Sequence, residues 1–319
     1  MVSLMAASSY ASDTFPDRRV IYGSILHHLQ PSLYVSPVIP HMEYDASLLT
    51  VKGYPLYIVY NRVPKSASTT LRNLFRDQAS QRKFTIYNKE IYVPFLLSAD
   101  VQREVMYELD SAKKPVFYER HMYFTVGDNF QKPQPVYINV VRDPLEQVIS
   151  AYYYSRETCN SEKRCYFDTD FLNETLDECV TKRPADRCID ASQGVISSLP
   201  FFCGNLVECE ENKTFALEKA KQNIVDHYTV VGVVEELYNF LFVLENLMPR
   251  YFANVRLQYM VNGRTRVENV GVHRGNHMKL NETTRGILRL ALANEYELYE
   301  FIKDRFYIQF QQVLKTYTG

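Results

Sequence analysis

The sequence predicts an α/β fold, a central parallel sheet flanked by helices, and three observations carry that expectation. Strand-like apolar runs alternate with segments of helical period, a polar loop sits at the junctions between them, and no stretch repeats at a fixed interval. At 319 residues, with 46% hydrophobic and 23% charged side chains, the chain is long enough to bury one large core. Residues 1–53 are polar and punctuated by Ser and Pro, and read as a tail or stem with at most one short helix. The domain is expected over 54–319.

The first unit runs from the strand PLYIVYN through RVPKSAS into the helix TTLRNLFRDQ, where Leu71, Leu74 and Phe75 share a face. A second runs from VYINV through VRDPLEQ into VISAYYYSR, with Pro144 where a first helical turn tolerates proline. A third joins YTVVGVVEEL to the apolar YNFLFVLENLM. Residues 281–316 read as one or two helices, with Leu288, Leu290, Leu292, Leu298 and Phe301 expected in the core.

The formal charge of -1 gives no overall field for nucleic acid, so no such partner is expected and any anion site must be local. The 25 tyrosines are read mainly as packing. All six cysteines fall between Cys159 and Cys209, a disulfide pattern in which Cys159/Cys165, Cys179/Cys188 and Cys203/Cys209 would each close a short loop. Six cysteines allow about 15 pairings, and spacing does not choose among them. No Cys-x-x-Cys occurs and no His lies inside the cluster, which speaks against zinc; the neighbours His27 and His28 cannot readily converge on one ion either, and no metal is expected. Sequons at Asn173, Asn212 and Asn281 agree with an oxidising secretory lumen. The opening MVSLMAASSYASDTFPDRRV has no signal-like apolar core, and no run approaches the roughly 20 apolar residues of a membrane span.

Chemistry concentrates at two junctions. In NRVPKSASTT, Lys65 follows a strand and Ser66, Ser68, Thr69 and Thr70 open a helix, where unpaired N–H groups and the positive dipole end favour phosphate or sulfate. Both glycines of the nucleoside triphosphatase loop are missing, which disfavours a kinase. In NVVRDPLEQVISAYYYS, Arg142 follows a strand and Ser150 lies about two helical turns on, a fork and a hydroxyl suited to a phosphate monoester. Read singly, each junction fits an ordinary capped helix equally well.

Together with LPFFCGNLVEC and VVGVVEELYNFLFVLENLMPRYF, these segments resemble the glycosaminoglycan uronyl 2-O-sulfotransferases, a family that includes the heparan sulfate 2-O-sulfotransferases and the Pipe proteins. The resemblance covers residue 55 to the C-terminus. It implies a P-loop-like fold, 3′-phosphoadenosine 5′-phosphosulfate as donor, a glycan acceptor, a homotrimer, and a place in the Golgi lumen as a type II membrane protein. By the same resemblance Lys65, Ser66, Ala67, Ser68, Thr69 and Thr70 contact the donor's 5′ end, Arg142 and Ser150 hold its 3′-phosphate, and Tyr259 and Arg274 close over the nucleotide. Arg62 is expected to touch the acceptor. The FY-x-x-H segment selects His121 as catalytic base, and Glu119, where relatives often carry a second His, either orients the imidazole or faces solvent. One departure bears on the acceptor: after YYY this chain has SRETCNSEKRCYFDTD where heparan-type members have an arginine-rich insertion. The expected reaction is sulfuryl transfer to the 2-O position of a uronic acid in a glycosaminoglycan or glycoprotein glycan; the alternative is a catalytically silent glycan-binding relative.

Overall fold

A computed structural model describes residues 45–92, 95–162, 172–263 and 280–318. The order is β1 (Tyr54–Asn61), α1 (Ser68–Arg82), β2 (Thr85–Tyr92), α2 (Ala99–Ser111), β3 (Val116–His121), β4 (Pro135–Val141) and α3 (Pro144–Glu162). Then come α4 (Leu176–Lys182), α5 (Leu199–Cys203), α6 (Lys213–His227), β5 (Tyr228–Val233), α7 (Leu237–Leu247), α8 (Val255–Gly263), α9 (Glu282–Ala291) and α10 (Ala293–Thr318). The five strands are all parallel, in the order β2-β3-β1-β4-β5. Residues of β3, β4 and β5 are buried almost end to end, as a sheet covered on both faces requires.

This order puts β1 at the centre. From β1 the chain turns towards β2 and β3, and from β4 it turns the other way, towards β5. The carboxyl ends of β1 and β4 therefore form a topological switch point, the crevice where open α/β sheets bind ligands. A buried amide network fixes these strands against each other. Asn139 Nδ2 donates to Asn61 O (2.7 Å), Tyr228 Oη to Asn61 Oδ1 (3.0 Å), and Asn61 Nδ2 to Phe201 O (2.9 Å). On the far side, Gly232 lets α7 close down: a Cβ there would stand 2.5 Å from Phe240 Cδ2.

Helix α3 starts earlier than expected. Asp143 Oδ1 accepts from Glu146 N at 3.0 Å, so Pro144 is already helical and the predicted loop VRDPLEQ shrinks to Arg142 and Asp143. Leu71, Leu74 and Phe75 are buried in the main core as predicted, with Leu298. A second apolar cluster joins Leu145, Val148, Ile149 and Tyr152 of α3 to Cys179, Cys188, Leu288 and Leu292. Leu290 was expected in the core and is 80% exposed, because α9 lays Leu288 inward and the residue two places on must then face out. Phe301 is only half-buried, against the main core. Ahead of residue 54, a helical turn at Ala46–Leu49 seats the buried Leu48, whose carbonyl accepts from Gln309 Nε2 of α10 at 2.6 Å. Disulfides join Cys179 to Cys188 and Cys203 to Cys209. Cys165 lies outside the described residues.

Candidate functional site

The loop from Arg62 to Ala67 leaves the centre of the sheet. Arg62 N donates to Arg120 O at 2.9 Å, extending the β1–β3 ladder by one residue. Lys65 (φ 61°) and Ala67 (φ 56°) then take left-handed conformations without being glycine, at about 1–2 kcal/mol each. Such turns aim successive N–H groups into a concavity. Two bonds hold the loop in place: Ser68 Oγ donates to Val63 O (3.2 Å), and Gln147 Nε2 of α3 donates to Pro64 O (3.0 Å). Ala67 is the N-cap of α1 and offers it no side-chain acceptor, so an anion in the concavity would meet the first-turn N–H groups of Ser68, Thr69 and Thr70.

Across the switch point stands α3. The Lys65 Nζ lies 3.5 Å from the centroid of the Tyr154 ring. Burial, and then the positive charge of Arg142, bring the Lys65 ammonium down to about 8, with Glu157 opposing them. Two cations from separate junctions are thus near enough to repel, the arrangement an anion with two charged ends would relieve. Arg142 is half-exposed with Nη2 3.6 Å from Glu146 Oε2, and the Ser150 hydroxyl has no hydrogen-bond partner among the described residues.

On the other side of β1, His121 ends β3 with Nδ1 2.8 Å from Arg62 O. A carbonyl can only accept, so Nδ1 carries the proton and the lone pair sits on Nε2. Burial foremost, then the charge of Arg62, brings this imidazole down to about 4, although its bond to the Arg62 carbonyl pulls the other way; the ring is neutral near pH 7. Glu119 shares this face of the strand and is 0% exposed. Its Oε1 accepts from Arg72 Nε at 3.3 Å, and its Oε2 has no hydrogen bond. Burial pushes the Glu119 carboxyl up while Arg62, Arg72 and Arg76 pull it down. It neither faces solvent nor bonds the imidazole. Arg62 is 2% exposed and donates to Lys89 O of β2 at 3.3 Å.

Tyr259 sits half-buried against the main core on α8. Arg274 lies outside the described residues, as do the neighbouring basic residues Arg264, Arg266 and Lys279. Arg256 is neutralised by Glu245 (2.9 Å) and lies over the Phe242 ring. Sequence reasoning missed Gln147, Tyr154 and Glu157. With Ser150 they recur at intervals of three and four, one face of a helix, and that spacing was the available signal. Among the described residues no cluster of three His, Cys, Asp or Glu is placed to hold a metal, and no helix is long and apolar enough to cross a membrane.

Residues 54–301, which take in the loop after β1, His121 at the end of β3 and Arg142 after β4, match the model of the sulfotransferase family. The chain belongs to that family. Human uronyl 2-sulfotransferase is 29% identical over 264 residues, 81% of this chain and 64% of that protein. Human heparan sulfate 2-O-sulfotransferase 1 is 32% identical over 261 residues, 79% of this chain and 70% of that one. The uronyl 2-sulfotransferase homologue pip of Drosophila melanogaster is 32% identical over 275 residues, 80% of this chain and 53% of that one. The chain thus spans about two thirds of the human uronyl 2-sulfotransferase and about half of pip. The part that matches the sulfotransferase family model begins at β1 and reaches into α10, so it includes every element that carries the site.

Proposed function

We propose that this chain transfers a sulfuryl group from 3′-phosphoadenosine 5′-phosphosulfate to a sugar hydroxyl, at the 2-O position of a uronic acid in a glycosaminoglycan or a glycoprotein glycan. The observation that carries the reading is the grouping of three junctions at the carboxyl ends of the three central strands: the left-handed cradle with Lys65 after β1, the Nδ1-protonated His121 ending β3, and Arg142 after β4. The donor supplies an activated sulfuryl group bonded through oxygen to phosphate. The N–H groups from Ser68 to Thr70 and the hydroxyls of Ser68, Thr69 and Thr70 receive its 5′ end, and Arg142 and Ser150 receive its 3′-phosphate. Ser66 is fully buried with Oγ donating to Pro64 O (3.5 Å), so a contact from its hydroxyl would need the loop to open. His121 Nε2 takes the acceptor hydroxyl's proton as the new oxygen–sulfur bond forms in line with the one that breaks. Lys65 neutralises the charge left on the departing bridging oxygen. Beneath them, Glu119 offsets the crowded guanidinium charge of Arg62 and Arg72 beside the imidazole.

In the acceptor region, Arg156 supports the departure from the heparan-type pattern. It is buried, lies 3.2 Å over the Tyr152 ring and donates to Gln193 Oε1, so it packs rather than grips a polysaccharide. An Arg62 contact with the acceptor would need that buried side chain to turn from Lys89. Tyr259 and Arg274 as nucleotide closers, the Golgi lumen and the homotrimer belong to the same proposal, and the disulfides support an oxidising compartment.

The test is transfer of labelled sulfate from the donor to a panel of glycosaminoglycans and desulfated derivatives, with His121→Ala beside wild type. Incorporation at uronate 2-O, lost in the variant, is expected. Undiminished transfer by His121→Ala removes it as base, and no transfer by wild type to any glycan favours a silent glycan-binding protein. In a thermal-shift assay adenosine 3′,5′-bisphosphate should stabilise the protein more than ATP does; the reverse order overturns the donor.

A further inference from the structure

The run Tyr152, Tyr153, Tyr154 serves three different ends. Tyr152 is fully buried in the second apolar cluster, and the half-buried Tyr153 Oη accepts from Leu176 N at 3.3 Å. Tyr154 belongs to neither cluster and is 48% exposed, yet it carries the Lys65 ammonium on its ring face at 3.5 Å. Packing does not explain a large ring kept at the surface under a cation.

The charges around Lys65 supply a reason. Lost hydration and the Arg142 guanidinium, from the β4–α3 junction, both favour the neutral amine, and Glu157, three residues beyond Tyr154 on α3, favours the ammonium. A negative ring face adds to the second side, and because the site is partly dry its attraction is stronger than at an open surface. The left-handed backbone at Lys65 launches the side chain out of the cradle towards α3. There Gln147 and Tyr154, seven residues apart on one helical face, secure the loop at Pro64 and at the ammonium.

We propose that Tyr154 is a positioning residue whose ring face keeps the Lys65 side chain charged and parked beside the cradle until an incoming anion draws it in. Its consequence for catalysis rests on the sulfotransfer reading, whereas the contact itself does not.

The test needs a readout independent of any acceptor. Competitive acylation of Lys65 across pH, read by peptide mass spectrometry, gives the midpoint of its titration in the folded protein. Wild type should show a midpoint near 8. Tyr154→Phe keeps the ring and should coincide with it. Tyr154→Leu and Tyr154→Met keep an apolar cover but lose the ring, and their midpoints should fall by about 0.4–1.5 pH units, the range for a lost cation–π contact. The alkaline limb of kcat/KM for the donor should move by the same amount. Coincidence of both ring-less variants with wild type overturns the proposal, as does a shift in Tyr154→Phe equal to theirs. If the labelling midpoints move as expected while wild type transfers no sulfate, the positioning stands and the sulfotransfer reading falls.

Discussion

At the scale of single residues, the proposed base is defined by one backbone carbonyl. Arg62 O accepts a hydrogen bond from His121 Nδ1–H, which selects the tautomer with Nε2 basic, and burial keeps the ring neutral. Replacing His121 by Ala should therefore lower kcat by about 10²- to 10⁴-fold with donor affinity retained, measured by single-turnover transfer and by calorimetric binding of adenosine 3′,5′-bisphosphate. The same burial has a cost in acid. With a folded value near 4 below the ordinary value of 6.5, His121 binds fewer protons folded than unfolded in that window. Stability should thus be complete above pH 6.5 and be lost as pH falls from 6.5 towards 4, by up to about 1.4 kcal/mol per pH unit. The stability difference between wild type and His121→Gln, followed by urea midpoints from pH 7 to 4.5, should shift against wild type as pH falls. A constant difference would show that the histidine is not buried neutral.

At the scale of elements, the cradle depends on α3 as much as on its own residues. Gln147 donates to Pro64 O and accepts from Ser198 Oγ at 3.0 Å, so one amide ties the cradle to the start of α5. Gln147→Leu leaves the buried Ser198 hydroxyl without its acceptor and Pro64 O with only the long bond from Ser66 Oγ (3.5 Å), and should destabilise by about 1–3 kcal/mol in denaturant melts while weakening binding of the bisphosphate. Helix α9 offers a paired contrast. Leu288→Ala should cost about 2–5 kcal/mol, whereas Leu290→Glu should stay within about 0.5 kcal/mol of wild type, compared in the same melts. These elements also show what the sequence makes legible. The strand–loop–helix units at 54–82 and 135–162 stand out because a fully buried strand is a continuous apolar run and the following helix restores a period near 3.6. The second strand, TIYNKEIY, went unread because it lies at the sheet edge and mixes polar with apolar residues. The roles proposed for Lys65, Arg142 and His121 come from residue type and from resemblance. Tyr154 and Gln147 were not, since their roles arise only when α3 is laid beside a loop some eighty residues earlier.

At the scale of the whole molecule, the two described disulfides reinforce different cores and should have separable effects. Cys203 and Cys209 lie in the main cluster with the sheet, beside Phe201, which accepts from Asn61. Cys179 and Cys188 lie in the smaller cluster that backs α3, while the opposite face of α3 carries Gln147, Ser150 and Tyr154 towards the cradle. With sequence separations of 6 and 9, each closes a loop expected to contribute about 2–3 kcal/mol. Replacing Cys203 and Cys209 together by Ser should lower Tm with the bisphosphate affinity of the remaining folded protein unchanged. The same exchange at Cys179 and Cys188 removes a staple from a core of few residues and loosens the helix that holds one wall of the site, so it should lower both Tm and affinity. Calorimetric titration of each double variant well below its Tm separates the cases: equal affinities would show that α3 is held by the sheet alone, and that the second cluster serves stability without shaping the donor site.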